Sequence, residues 1–128
     1  VVRDGGLIEI GDGTSVQFDF HCGAAESVII GRDVLIAGRV YISDHDHVFD
    51  RLDCAPRRCG DLVASPVVIE DGAWLGEGSV VLKGVRIGRR SVVGANAVVT
   101  QNVPPGCVVC GVPASVVRQI DFKDFTKN

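Results

Sequence analysis

Aliphatic residues return every six positions along most of this 128-residue chain, and that spacing constrains the fold more than any other feature. Three runs carry it: Ile10, Val16 and Cys22; Ile30, Ile36 and Ile42; then Ile69, Leu75, Val81, Ile87, Val93 and Val99. The residue after each is often small (Gly11, Gly23, Gly31, Ala37, Gly76, Gly88, Gly94). A second inward candidate, small or β-branched, follows at the fourth place: Thr14, Val34, Val40, Ala73, Ser79, Val85, Ser91, Ala97 and Val103. Phe20, Glu26 and Asp46 break that rule. A period of six matches neither the 3.6 of a helix nor the 2 of a long strand, but it matches a short strand plus a turn, laid down again and again. Three such hexads make one coil of about eighteen residues. Ile69 therefore stacks beneath Ile87, Leu75 beneath Val93 and Val81 beneath Val99, giving a triangular parallel β-helix.

The period fails between residues 43 and 66, which reads as a loop extruded from the coil. The whole chain, 1–128, is one domain by length, and 46% hydrophobic residues suffice for a packed core. The segment 113–128 has Pro113 followed by Val116, Val117 and Ile120 at helical spacing and is expected to form a short helix and tail. Absence of Met points to a residue 1 that is not the natural start.

Composition excludes some functions. A net charge of −3 supplies no basic field for nucleic acid. No apolar run approaches the length of a membrane span, and the opening VVRDGG lacks the parts of a signal peptide, so a cytoplasmic protein is expected. The five cysteines at 22, 54, 59, 107 and 110 do not form the framework of a disulfide scaffold and are expected as free thiols.

Chemistry concentrates in the loop, ISDHDHVFDRLDCAPRRC. A histidine near its normal pKa serves well as a general base, so the loop is a candidate catalytic site. His45, His47, Cys54 and Cys59 are also four competent zinc ligands, but the spacing lacks the close C-x2-C pair of common structural sites; a zinc loop stays as an alternative reading. Cys107 and Cys110 form C-x-x-C without the helix start that redox versions use.

The hexads, the histidine loop and the stretch from Val67 through Gly111-Val112-Pro113-Ala114 resemble the hexapeptide-repeat acyltransferases, most closely the maltose and galactoside O-acetyltransferases and the lipopolysaccharide or exopolysaccharide O-acetyltransferases. The resemblance covers nearly the whole chain. It implies a left-handed β-helix, a homotrimer, and acetyl-CoA as donor bound between neighbouring coils, with no metal. It places His47 at the catalytic histidine and Asp61 at a loop acid that orients it. His45, Asp19 and Asp44 fall on the acceptor side. Trp74, Glu77, Gly94, Ala95, Thr100 and Arg118 fall on donor positions, the Glu77 amide where a thioester oxygen would be steadied. Gln101 and Ser115 depart from a Lys and an Arg that relatives carry, and Ala24 and Ala25 replace acids. The activity implied is transfer of acetyl to a sugar hydroxyl. The alternatives are N-acetylation of an amino or nucleotide sugar and a non-catalytic trimeric scaffold or binding module.

Overall fold

The computed structural model describes residues 1–121 and is a parallel β-solenoid of about five turns. One face of the prism holds β1 (Leu7–Ile10), β4 (Ser27–Ile30), β9 (Val67–Ile69) and β12 (Arg86–Ile87), in that order. A second face stacks β2 (Ser15–Val16), β5 (Leu35–Ile36), β10 (Trp74–Leu75), β13 (Val92–Val93) and β15 (Cys107–Gly111), and ends on β16 (Ala114–Gln119). The third face holds β3 (His21–Gly23), β6 (Tyr41–Ser43), β11 (Val80–Val81) and β14 (Val98–Val99). Between β6 and β9 the chain leaves the coil as an antiparallel hairpin, β7 (His45–His47) with β8 (Leu62–Ala64), whose connection holds a single helical turn, α1 (Pro56–Cys59).

The stacking follows the hexads. Ile69 lies opposite Ile87, Leu75 opposite Val93 and Val81 opposite Val99. The inward aliphatics from Ile30 to Val99 are at most 2% exposed, and each contributes roughly 1.5–3 kcal/mol of burial. Ile10 and Val16 are 48% and 40% exposed, because among the described residues the first coil is covered on one side only. Successive coils approach so closely that a Cβ on Gly88 would sit 2.3 Å from the Pro105 nitrogen, which explains the small residue after the aliphatic.

The second inward slot is equally tight and accounts for its serines. Ser91 donates from its hydroxyl to the Pro104 carbonyl at 2.6 Å and accepts from the Cys107 N–H at 3.1 Å. Ser79 Oγ is buried with no partner among the described residues. Ser91→Ala is expected to cost about 1–2 kcal/mol in urea unfolding, whereas Ser79→Ala is expected to leave stability unchanged or raise it by up to about 1 kcal/mol. Equal losses at both positions would contradict this account.

Two expectations need correction here. Residues 114–119 form β16, antiparallel to β15, rather than a helix. The last parallel strand of the second face offers unpaired backbone groups, and the β-branched pair Val116 and Val117 suits a strand that satisfies them. The rest of the expected helix, residues 122–128, lies outside the described residues. The second correction concerns the cysteines: Cys54 and Cys59 are joined in a disulfide, while Cys22, Cys107 and Cys110 are free thiols. No helix among the described residues is long and apolar enough to cross a membrane.

Candidate active site

The hairpin is anchored at its neck by Asp44. Its side chain is fully buried, one carboxylate oxygen accepting the Ala25 N–H at 2.8 Å and the other the Glu26 N–H at 2.7 Å. The Asp44 carbonyl accepts the Ser65 N–H at 2.8 Å, so the same residue ties the outgoing chain to the returning one. Burial alone would raise the Asp44 carboxyl, yet hydrogen bonds from the Ala25 N–H, the His45 ring and the Glu26 N–H outweigh it and hold it below the usual carboxylate range. Asp44, expected at the acceptor, has its carboxylate committed to the chain itself.

His45 Nδ1 lies 2.8 Å from Asp44 Oδ1, which fixes the imidazole plane. Gly23 makes room for it: a Cβ there would sit 3.3 Å from His45 Cε1 and 3.6 Å from His21 Nε2. The His21 ring stacks on Tyr41, centroids 4.8 Å apart and planes 5° from parallel. That pair was legible in the repeat, since His21 and Tyr41 precede Cys22 and Ile42, two inward residues of adjacent coils.

Strand alternation puts His47 on the same hairpin face as His45, with Leu62 and Ala64 as their cross-strand partners. His47 is exposed, and its ring has no hydrogen-bond partner among the described residues. It lines a pocket of about 130 Å³ with Asp46, Val48, Phe49, Asp50, Val63 and Lys83. Asp46 on the opposite hairpin face reaches Lys83 Nζ at 2.8 Å and pins the hairpin to the coil. Asp61 is exposed and shares no hydrogen bond with the His47 side chain; its carbonyl accepts the Val48 N–H. It lines a larger cleft, about 530 Å³, with Val2, Arg3, Asp4, Ala25, Gly60 and Leu62. Asp19 sits away from the hairpin at a corner, in the left-handed conformation at φ 55°.

The cross-strand row that starts with Ser15 and Leu35 on the second face continues through Trp74, Val92 and Val108 to Arg118. Its stretch from Trp74 to Arg118 spans three strand spacings, about 14 Å, from an exposed indole to an exposed guanidinium. Glu77 and Ala95 occupy adjacent levels of the corner between the second and third faces, and their N–H groups donate to nothing among the described residues. Gly94 lies one residue before Ala95, while Thr100 sits at the next corner, where the hairpin emerges. The Glu77 carboxylate is paired with Arg39 at 3.2 Å.

The disulfide takes Cys54 and Cys59 out of any zinc site, because a metal-bound cysteine must be a thiolate. Among the described residues no group of three or more His, Cys, Asp or Glu side chains is placed to hold a metal.

Comparison with known proteins finds relatives of the hexad coil. Residues 66–101 match the family model "Bacterial transferase hexapeptide (six repeats)". The chain is 42% identical over 124 residues to a protein of Escherichia coli K12 described as a lipopolysaccharide biosynthesis O-acetyl transferase, covering 92% of this chain and 63% of the relative. It is 36% identical to the galactoside O-acetyltransferase of the same organism, with 94% and 58% covered. A hexapeptide-repeat acetyltransferase of Vibrio cholerae, solved with acetyl coenzyme A, superposes with a TM-score of 0.82 at 37% identity, over 89% of this chain and 61% of that one. The chain thus spans about three fifths of the length of the relatives it matches.

Proposed function

Because the chain belongs to the hexapeptide-repeat transferase family, we propose that it transfers acetyl from acetyl-CoA to a hydroxyl of a saccharide, with His47 as general base. The observation that carries this reading is the hairpin itself: an excursion from the coil that presents two imidazoles on one face, anchored by a buried carboxylate. His47 takes the proton from the attacking hydroxyl as the oxygen adds to the thioester carbon. The developing oxyanion is met by the free N–H of Glu77, and coenzyme A leaves as the thiol. The row from Trp74 to Arg118 suits a linear, largely apolar arm that ends in phosphate. His45 and Asp19 are assigned to the acceptor side, and Asp61 orients either the base or the acceptor from the wall of the larger cleft.

The hairpin leaves from the corner between the third and first faces, which in a triangular prism is the vertex opposite the second face, where the donor row lies. A complete site then takes its hairpin and its donor row from different copies, which supports a homotrimer.

The test is the unfolding midpoint with and without acetyl-CoA, followed by acetyl transfer to a panel of glycosides and amino sugars. A donor at a hundred times its dissociation constant stabilises the fold by about 2.7 kcal/mol, a rise of several degrees in a domain this size. A rise with acetylated glycosides supports the reading. Acetylation confined to amines would move it to N-acetyl transfer, and no rise at any concentration would overturn it.

A further inference from the structure

We infer that the Cys54–Cys59 disulfide is a thiol–disulfide exchange site, opened by dithiol reductants, that governs the order of the connection from 48 to 61. The inference is independent of the acetyl-transfer reading.

The two cysteines are five residues apart with Cα atoms 5.5 Å from each other, and both are partly exposed. A thiol can therefore reach them in the folded protein, unlike Cys22 and Cys107, which are buried. Burial also pushes the Cys22 thiol up to about 11, so it stays protonated and inert.

The charges around the pair favour opening. Arg57 and Arg58 immediately precede Cys59, are exposed, and have no ion-pair partner among the described residues. Arg51, the third arginine of the connection, is already held by Asp53. Two guanidiniums adjacent in the chain to Cys59 favour its thiolate, which assigns that sulfur as the leaving group. In the exchange, a reductant thiolate attacks Cys54 Sγ, forming a mixed disulfide as the Cys54–Cys59 bond breaks and Cys59 departs as thiolate. The second thiol of the reductant then attacks the mixed disulfide and releases Cys54. The protein ends with two thiols and the dithiol ends oxidised.

Little else holds the connection. The single turn α1 buries no residue, its N-terminal flank Ala55 provides no side-chain cap, and one isolated turn is not stable in water. Gly60 and Asp61, directly after Cys59, wall the 530 Å³ cleft with Arg3 and Asp4. Opening the disulfide therefore loosens that wall while the neck, tied by Asp44 and Ser65, stays closed.

The experiment treats the folded protein with millimolar dithiothreitol, quenches with an alkylating agent and maps the cysteines by mass spectrometry. Cys54 and Cys59 are expected to become alkylated without denaturant, with Cys22 and Cys107 modified only after unfolding. In Arg57→Gln/Arg58→Gln, reduction is expected to slow at least about threefold. In the wild type, trypsin is expected to cleave after Arg57 or Arg58 at least about tenfold faster once reduced, and Cys54→Ser/Cys59→Ser is expected to match that reduced rate. A disulfide that resists dithiol until the protein unfolds would overturn the inference, as would a pair of thiols that oxidised dithiothreitol fails to close. Unchanged reduction in the arginine variant would remove the role of the cations. None of these readouts uses acetyl transfer, so the two proposals fail separately.

Discussion

Replacing His47 by alanine is expected to lower acetyl transfer by about 100- to 10,000-fold, the range for loss of a general base, while the unfolding midpoint stays close to wild type. The two halves of that expectation have different grounds. His47 is exposed and its ring bonds to nothing among the described residues, so truncating the side chain leaves no cavity and no orphaned partner. An acceptor hydroxyl without a base, in contrast, must attack as the neutral alcohol or wait for solvent to take the proton. The deciding control is His45→Ala, because His45 is the imidazole already held by a carboxylate. Its loss is expected to raise KM for the acceptor more than it lowers kcat. If His45→Ala abolished turnover and His47→Ala kept it, the Asp44–His45 pair would be the base, and the assignment to His47 would fall.

The coil was legible in the sequence because its rule is local and repeated. Each hexad names its own inward residue, and the register from Ile69 to Val99 follows from counting. The loop has no such redundancy. That Cys54 and Cys59 pair depends on the single turn at Pro56–Cys59 bringing two Cα atoms into range, and five-residue spacing alone does not dictate that turn. Asp44 looked like one of several hydrophilic loop residues; only the position of Ala25 and Glu26, about one coil earlier in the chain, shows that its carboxylate faces inward. The C-terminal strand was misread for a related reason. Val116, Val117 and Ile120 satisfy a helical spacing, but the decisive factor is an open strand edge at β15, which is a property of the stack and not of the segment. His47 and Asp61 illustrate the remaining limit: sequence placed them as partners, whereas the structure gives them different pockets.

Asp44 carries the second large effect. Asp44→Ala removes the acceptor of two backbone N–H groups and the partner of the His45 ring, all at the point where the hairpin joins the coil. Leaving those donors unmatched is expected to cost about 2–4 kcal/mol in urea unfolding, read by the fluorescence of the single tryptophan, Trp74. Asp44→Asn keeps the shape and removes the charge, so it isolates the electrostatic part. The folded carboxyl titrates below its unfolded value of about 3.9, so as pH falls the unfolded chain takes up the proton first. The stabilisation is therefore whole above about pH 5 and is lost only as pH falls through the lower folded value. The wild-type advantage over Asp44→Asn is expected to be flat from about pH 5 to 8 and to shrink below about pH 4. An advantage that instead disappeared between pH 5 and 8 would mean that the Asp44 carboxyl is not the group that holds the hairpin. Acetyl transfer by Asp44→Asn, measured at neutral pH and low temperature where the variant is folded, is expected to fall less than tenfold, because Asp44 acts through the placement of the hairpin and does not touch the reacting atoms.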